Sequence, residues 1–187
     1  RNLDRVAKKK KYPELVKPGR YVVEDKISYI ELINMLRAGR QEPVNVTFNN
    51  IRNIYELAEK VGGQIEADSA DIADFLSNPE NYKKDGFTKE NVISVFIPNT
   101  YEFYWNTSAE GFYRRMLREY NKFWDGERDR KAALLGLTRT EVSILASIVD
   151  DEVVKADEKP RIAGVYLNRM KNGMPLQACP TIKFALN

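Results

Sequence analysis

The sequence predicts an α+β fold: a small strand-helix-strand unit over residues 1–48, then a mainly helical domain with a few strands over residues 49–187. Three observations carry this. Alternating apolar and polar residues occur only in short runs. Apolar residues at helical spacing fill most of the remaining chain. Pairs of Ser or Thr with a Glu three positions on stand ahead of several of these stretches, as in capping boxes.

Taken in order, Gly19 precedes Arg20-Tyr21-Val22-Val23, which reads as a short strand. Ser28 and Glu31 open a helix carrying Ile30, Ile33, Leu36 and Ala38, and Gly39 ends it. Val44, Val46 and Phe48 alternate with polar residues, as in a half-buried strand. The next helix shows Ile54, Leu57, Ala58 and Val61 on one face, with Gly62-Gly63 as its stop. Ile72, Ala73, Phe75 and Leu76 predict a short helix, and residues 78–86 a polar loop. Val92 to Ile97 reads as a strand ended by Pro98-Asn99. After the aromatic cluster Tyr101, Phe103, Tyr104 and Trp105, Thr107 and Glu110 cap a helix bearing Phe112, Tyr113, Met116, Leu117 and Tyr120. Asp125 to Arg130 reads as a charged link or helix end. Thr138 and Glu141 cap the next helix, with Leu137 and Val142 at the hydrophobic-staple positions. A last helix starts near Glu158, tolerates Pro160 in its first turn and closes at Asn172-Gly173. Met174 to Thr181 reads as an irregular loop bracketed by Pro175 and Pro180.

Composition removes several chemistries. The chain has no histidine, which excludes Ser-His-Asp and Cys-His catalysis and histidine-ligated metals. The single cysteine, Cys179, excludes an internal disulfide framework and cysteine-clustered zinc. No metal or other cofactor is expected, and any reaction must rest on carboxylates, Lys, Tyr, Ser/Thr or amides. Net charge is +3, from 30 basic and 27 acidic residues, a balance that argues against nucleic acid as a partner. The basic run Lys8 to Lys11 reads as solvated surface. There is no run of 18 apolar residues of the kind that spans a membrane. The chain begins with Arg1, carries no signal-peptide pattern and is read as a piece of a longer protein.

Glu152 is the first candidate for chemistry. At about 100° per residue, Val142, Leu145, Ile148 and Val149 form one stripe, and Glu152 projects from within it, three residues past Val149. A carboxyl there would be desolvated and its charged form disfavoured, as suits a general acid. The bland alternative is a helix that ends before Glu152, with three consecutive acids solvated at its end. Asn168 is a surface residue or a substrate contact. Gln177 and Thr181 lie in the proline-bracketed loop, either a plain turn or a pre-organised binding edge. Tyr101, Tyr104 and Trp105 are core aromatics or platforms for sugar rings.

Three segments together resemble one family. Ser147-Ile148-Val149-Asp150-Asp151-Glu152, then Ile162-Ala163-Gly164-Val165-Tyr166-Leu167-Asn168-Arg169-Met170, then Gly173-Met174-Pro175-Leu176-Gln177-Ala178-Cys179-Pro180-Thr181 are similar to the MltG (YceG-like) endolytic murein transglycosylases. That family reads approximately S-I-V-E-K-E, I-A-G-V-F-x-N-R-L and G-M-x-L-Q-x-D-P-T. Pro98-Asn99-Thr100-Tyr101 resembles its P-D-T-Y, and Gly19 through Gly39 resembles the start of its LysM-like region. The resemblance makes residues 1–48 a partial LysM-like region and 49–187 a YceG-like transglycosylase domain truncated at its C-terminus. The motif's first glutamate, its lysine and its last aspartate are Asp150, Asp151 and Cys179 here, so no role is carried to those positions.

The resemblance implies a lyase of peptidoglycan glycan strands. It would cleave the β-1,4 bond between N-acetylmuramic acid and N-acetylglucosamine and leave 1,6-anhydro ends. It implies one catalytic carboxyl, Glu152, where ordinary glycosidases use two. Glu152 protonates the leaving oxygen, then takes the proton of the sugar's own 6-hydroxyl. Asn168, Gln177, Thr181 and Tyr101 would contact the sugars. It further implies an inner-membrane anchor upstream of Arg1, a catalytic domain on the periplasmic side, and cell-wall synthases as partners. A non-catalytic peptidoglycan-binding or scaffold module is the alternative. The family's domain continues past Thr181, which leaves the activity of this piece alone open.

Overall fold

The computed structural model describes residues 2–186. It is mainly helical with one small sheet, in the order α1 (Asn2–Lys9), α2 (Tyr29–Ala38), β1 (Val44–Phe48), α3 (Ile54–Gly62), α4 (Ser69–Ser77), β2 (Asn99–Phe103), α5 (Ala109–Phe123), α6 (Gly126–Leu134), α7 (Arg139–Glu152), α8 (Lys159–Lys171) and α9 (Cys179–Leu186). This is the α+β class that the sequence predicts. The chain divides into two units, residues 1–119 and 120–187. The boundary expected at residue 48 falls inside the first unit, because β1 ends there and finds its partner much later in the chain.

In the first unit β1 and β2 pair antiparallel, with Val46 opposite Tyr101 and Thr47 opposite Thr100. The two threonine hydroxyls meet at 2.7 Å. Period-two alternation sends Val46 and Phe48 inward, and both are fully buried. Phe112 on α5 centres the core, its ring 5.6 Å from Phe96, 5.4 Å from Phe103 and 6.3 Å from Phe48. Tyr82 is buried against the Tyr113 ring and donates its hydroxyl to the Leu76 carbonyl at 2.9 Å. Tyr113 donates to Asp85, which also takes Arg114 at 2.8 Å. α3 and α4 approach at Gly62, where an added Cβ would lie 2.3 Å from the Ser69 nitrogen.

Several local expectations are corrected. Arg20 to Val23 is not a strand: it has no ladder partner, and Val22 and Val23 are exposed. Val92–Val95 forms a 3₁₀ turn rather than a strand, because Val92 and Val95, three apart, are both driven into the core. The strand starts one residue after Pro98 and contains Tyr101 and Phe103. The α5 cap is Ser108, which accepts from the Gly111 amide at 3.1 Å, while Thr107 turns back to the Tyr104 carbonyl. Asp125 to Arg130 is helical: Asp125 caps α6 by accepting from the Arg128 amide. α1, α9 and the Asp68–Asp71 capping box of α4 were not foreseen.

In the second unit both halves of the Thr138–Glu141 box form, at 2.7 and 3.2 Å. Arg139 beside it grips the Asp129 carboxylate with two nitrogens, Nε at 2.7 Å, and lies over the Trp124 ring. That one guanidinium ties the end of α5, α6 and the start of α7 together.

Gly62→Ala is expected to destabilise the protein by about 1–3 kcal/mol, since the added methyl meets backbone and not a flexible side chain. A lowered urea midpoint with unchanged m-value checks this. Acid dependence has a definite sign. The hydrogen bond from Arg139 holds the Asp129 carboxyl below its ordinary value of 3.8; burial opposes it, and the guanidinium charge adds a lesser push in the same direction as the bond. The unfolded chain therefore binds that proton first, and the stabilisation present above 3.8 is lost as pH falls through the lower folded value. Trp124 fluorescence in a Trp105→Phe background should show the urea midpoint dropping at acid pH, and Asp129→Asn should flatten the drop.

Candidate functional site

The start of α7 is fixed by its capping box and its middle by packing. Leu145 and Val149 are buried in one cluster with Tyr166 from α8 and Ala178 from the segment before α9. Ile148, Val153, Ile162, Ala163, Leu167 and Leu176 pack around them. Glu152 is the last residue of the helix. Val153 then turns extended, its amide still bonded to the Val149 carbonyl at 3.3 Å.

Glu152 is exposed, which corrects the expected desolvation. The apolar stripe holds as far as Val149, but α7 stops one turn later, and the helices packed on Leu145 and Val149 do not cover its end. Three acids at a helix C-terminus also oppose the helix dipole. Lys159 at the start of α8 offsets one of them by pairing with Asp150. Asp151 is exposed.

Glu152 nevertheless has a fixed neighbour. The Tyr166 phenol, on a buried ring, lies within electrostatic reach of its carboxylate. Burial first, then the nearby Glu152 carboxylate, push the Tyr166 phenol above its ordinary value of 10.0, with Arg169 acting in the other direction. Arg169, one turn further along α8, donates to the Leu176 carbonyl, to the Pro175 carbonyl at 3.4 Å and to Gln177 Oε1 at 3.2 Å. It thereby holds the loop that follows α8, in which Gln177 takes a left-handed φ of 53°. A contiguous polar edge results: Glu152, Tyr166, Arg169, Gln177.

The other predicted residues sort by position. Thr181 belongs to α9, not to an irregular loop, and its hydroxyl donates to the Ala178 carbonyl at 2.7 Å. Asn168 is exposed, about 200° around α8 from Tyr166 and outside the Tyr166–Glu152 neighbourhood. Tyr101 is a core residue of the first unit and not a sugar platform. Its ring stacks on Phe48 at 5.7 Å and its hydroxyl donates to the Ile97 carbonyl. Cys179 is a free, exposed thiol. Tyr166 and Arg169 are the residues that reading for function missed. Both lie in the second motif segment with no role of their own there, and the signal lay in their polar ends, since a buried Tyr hydroxyl takes a partner.

Among the described residues no group of acidic residues and cysteine is arranged to hold a metal ion, and no single helix is long and apolar enough to cross a membrane. What the second unit presents is a helical frame with three carboxylates at a helix end, the last of them, Glu152, near a buried phenol. Residues 2–187 match the model of the YceG-like family, and the chain belongs to that family. Proteins named endolytic murein transglycosylase in two strains of Streptococcus pneumoniae are 26% identical to it over 210 residues, covering 96% of this chain and 37% of theirs. One of the same name from Bacillus subtilis (strain 168) is 27% identical over 116 residues, 57% of this chain and 31% of that protein. The chain thus spans about a third of the length of these relatives. No solved structure matches it.

Arg169→Met should release the Pro175–Gln177 backbone from its clamp. Amide exchange at residues 176–178 is expected to speed up about tenfold, the effect of losing about one charge-assisted hydrogen bond. Exchange in the middle of α7 should stay unchanged.

Proposed function

We propose that the protein of which this chain is part is an endolytic peptidoglycan lytic transglycosylase, with Glu152 as its single acid and base. The observation that carries this reading is the solvent-facing Glu152 carboxylate at the end of α7, in a chain of the YceG-like family. Relatives bearing the transglycosylase name support the substrate class. With no histidine in the chain, an acid-base pair of the serine-hydrolase kind is not available.

The reaction needs no second carboxylate. Protonated Glu152 gives its proton to the glycosidic oxygen leaving from N-acetylmuramic acid. The resulting carboxylate takes the proton of the same sugar's 6-hydroxyl as that oxygen closes on the anomeric carbon. The 1,6-anhydro ring forms, the chain is cut, and the glutamate is restored without water being consumed. Glu152 is open to solvent in this chain, so the bound glycan, or protein outside this chain, supplies the cover that excludes water during proton transfer. Asn168 and Gln177, both exposed, are suited to meet acetamido groups and ring hydroxyls; Thr181 stands in the first turn of α9, just after the loop that carries Gln177. By the same family reading, the whole protein is anchored in the cytoplasmic membrane, acts outside the cytoplasm and works beside cell-wall synthases. Membrane fractionation of the full-length protein tests the location.

Glu152→Gln in the full-length protein is expected to abolish release of anhydro-muropeptides from purified murein sacculi, a loss of at least a hundredfold, while binding to sacculi persists. Mass spectrometry of the soluble products and a pull-down with sacculi check the two halves. Retained release by the variant would refute the mechanism, and a wild-type protein that binds without releasing anhydro products would be a non-catalytic module.

A further inference from the structure

Leu176 packs against the cluster of Leu145, Val149 and Tyr166, and Ala178 is buried within it. Gln177 between them is exposed and takes a left-handed φ of 53°, a region that residues other than glycine seldom enter. Both flanks of Gln177 are thus fixed to the face of α7 on which Glu152 follows Val149 by three residues, about 4.5 Å along the helix axis. The Tyr166 phenol has Glu152, Arg169 and Cys179 within electrostatic reach, which sets the two sides of the loop around the same point as the carboxylate.

Arg169 decides what Gln177 can offer. Its Nη1 donates to the Leu176 carbonyl, to the Pro175 carbonyl at 3.4 Å and to Gln177 Oε1 at 3.2 Å. A guanidinium has donors only, whereas a side-chain amide has one accepting oxygen and an NH2 with two donors. Turning the Gln177 amide over would set its NH2 against the guanidinium, donor against donor. Oε1 is therefore held on Arg169, and Nε2 is left on the solvent side as a donor of fixed direction.

We infer that Arg169 is a positioning residue that presents Gln177 Nε2 as a donor to an acetamido carbonyl of the glycan, and so makes the site selective for N-acetylated amino sugars. The inference rests on the transglycosylase reading proposed above. An acetamido oxygen accepts from Nε2. The free amine of a de-N-acetylated sugar, protonated at neutral pH, carries donors only; it leaves Nε2 without an acceptor and meets the Arg169 charge. Arg169 itself takes no part in the proton transfers.

The test uses the full-length protein on purified sacculi that are partly N-deacetylated, and on the same material re-acetylated, with released anhydro-muropeptides measured by mass spectrometry. Wild-type kcat/KM is expected to be about tenfold higher on the re-acetylated material, the worth of about one hydrogen bond. Gln177→Glu keeps the oxygen that Arg169 holds but puts an acceptor where the donors were, and is expected to erase or invert that preference. Arg169→Met lets the Gln177 amide turn and is expected to narrow the preference to about threefold or less, mainly through a higher KM on the acetylated glycan. A preference that stays tenfold in either variant, even at a lower overall rate, would overturn the positioning role and leave the function reading standing. Equal cleavage of the two materials by the wild type would do the same. Absence of anhydro products from both materials with the wild type would overturn the function reading as well. Should Arg169→Met fail to fold, Gln177→Glu, changed only at an exposed side chain, decides alone.

Discussion

Leu145 and Val149 on α7 meet Tyr166 on α8 in one buried cluster, and Ala178 closes it from the segment ahead of α9. The rest of the second unit depends on that seam. Neither helix is stable through propensity alone: α7 carries two serines, a threonine and four β-branched apolar residues, and α8 begins with a proline in its first turn. Each fully buried Leu or Val contributes about 1.5–3 kcal/mol, which exceeds what the capping box adds at about 1 kcal/mol. The seam also sets the polar edge. Tyr166 lies near Glu152 because its ring is fixed in the seam, and Arg169 reaches the loop because α8 is held at that rotation.

Much of this was legible in the sequence, and the misses have physical causes. The caps of α2 and α7 were read correctly because a capping box is a local device whose two hydrogen bonds lie within four residues. The strand at Val44 to Phe48 was legible through its alternation. Val92 to Ile97 was misread because a short apolar run has no period that separates a strand from a tight helical turn. Arg20 to Val23 has strand-forming residues, but a strand exists only with a partner. Helix α6 was missed because its residues are mostly charged and bury only Ala132; its Asp125 cap, not an apolar stripe, defines it.

The site shows the same division. Spacing placed Glu152 correctly on the helix face that packs inward. Burial, however, depends on what lies against that face, and this is tertiary information. The contrast between Tyr101 and Tyr166 makes the point with one residue type. Tyr101, read as core or as a platform for a sugar ring, closes its hydroxyl on a carbonyl four residues away. Tyr166, packed in the seam, brings its phenol near a carboxylate on another helix. Sequence pattern reports the hydrophobic part of a tyrosine well and the direction of its hydroxyl poorly.

The pairing of β1 with β2 has a temporal side. Thr47 and Thr100, joined through their hydroxyls, are 53 residues apart in the chain, whereas Asp129 and Arg139 are 10 apart and Arg169 and Gln177 only 8. Closing the long loop carries a larger entropic cost before any contact repays it. On a ribosome the first unit is made first, yet its sheet must wait until Asn99–Phe103 has emerged, with Val46 and Phe48 uncovered meanwhile. The later unit, built from near neighbours, has no such delay. Order of synthesis and order of completion therefore differ along this chain, and the stretch between the two strands is where a nascent chain is most open to misassociation.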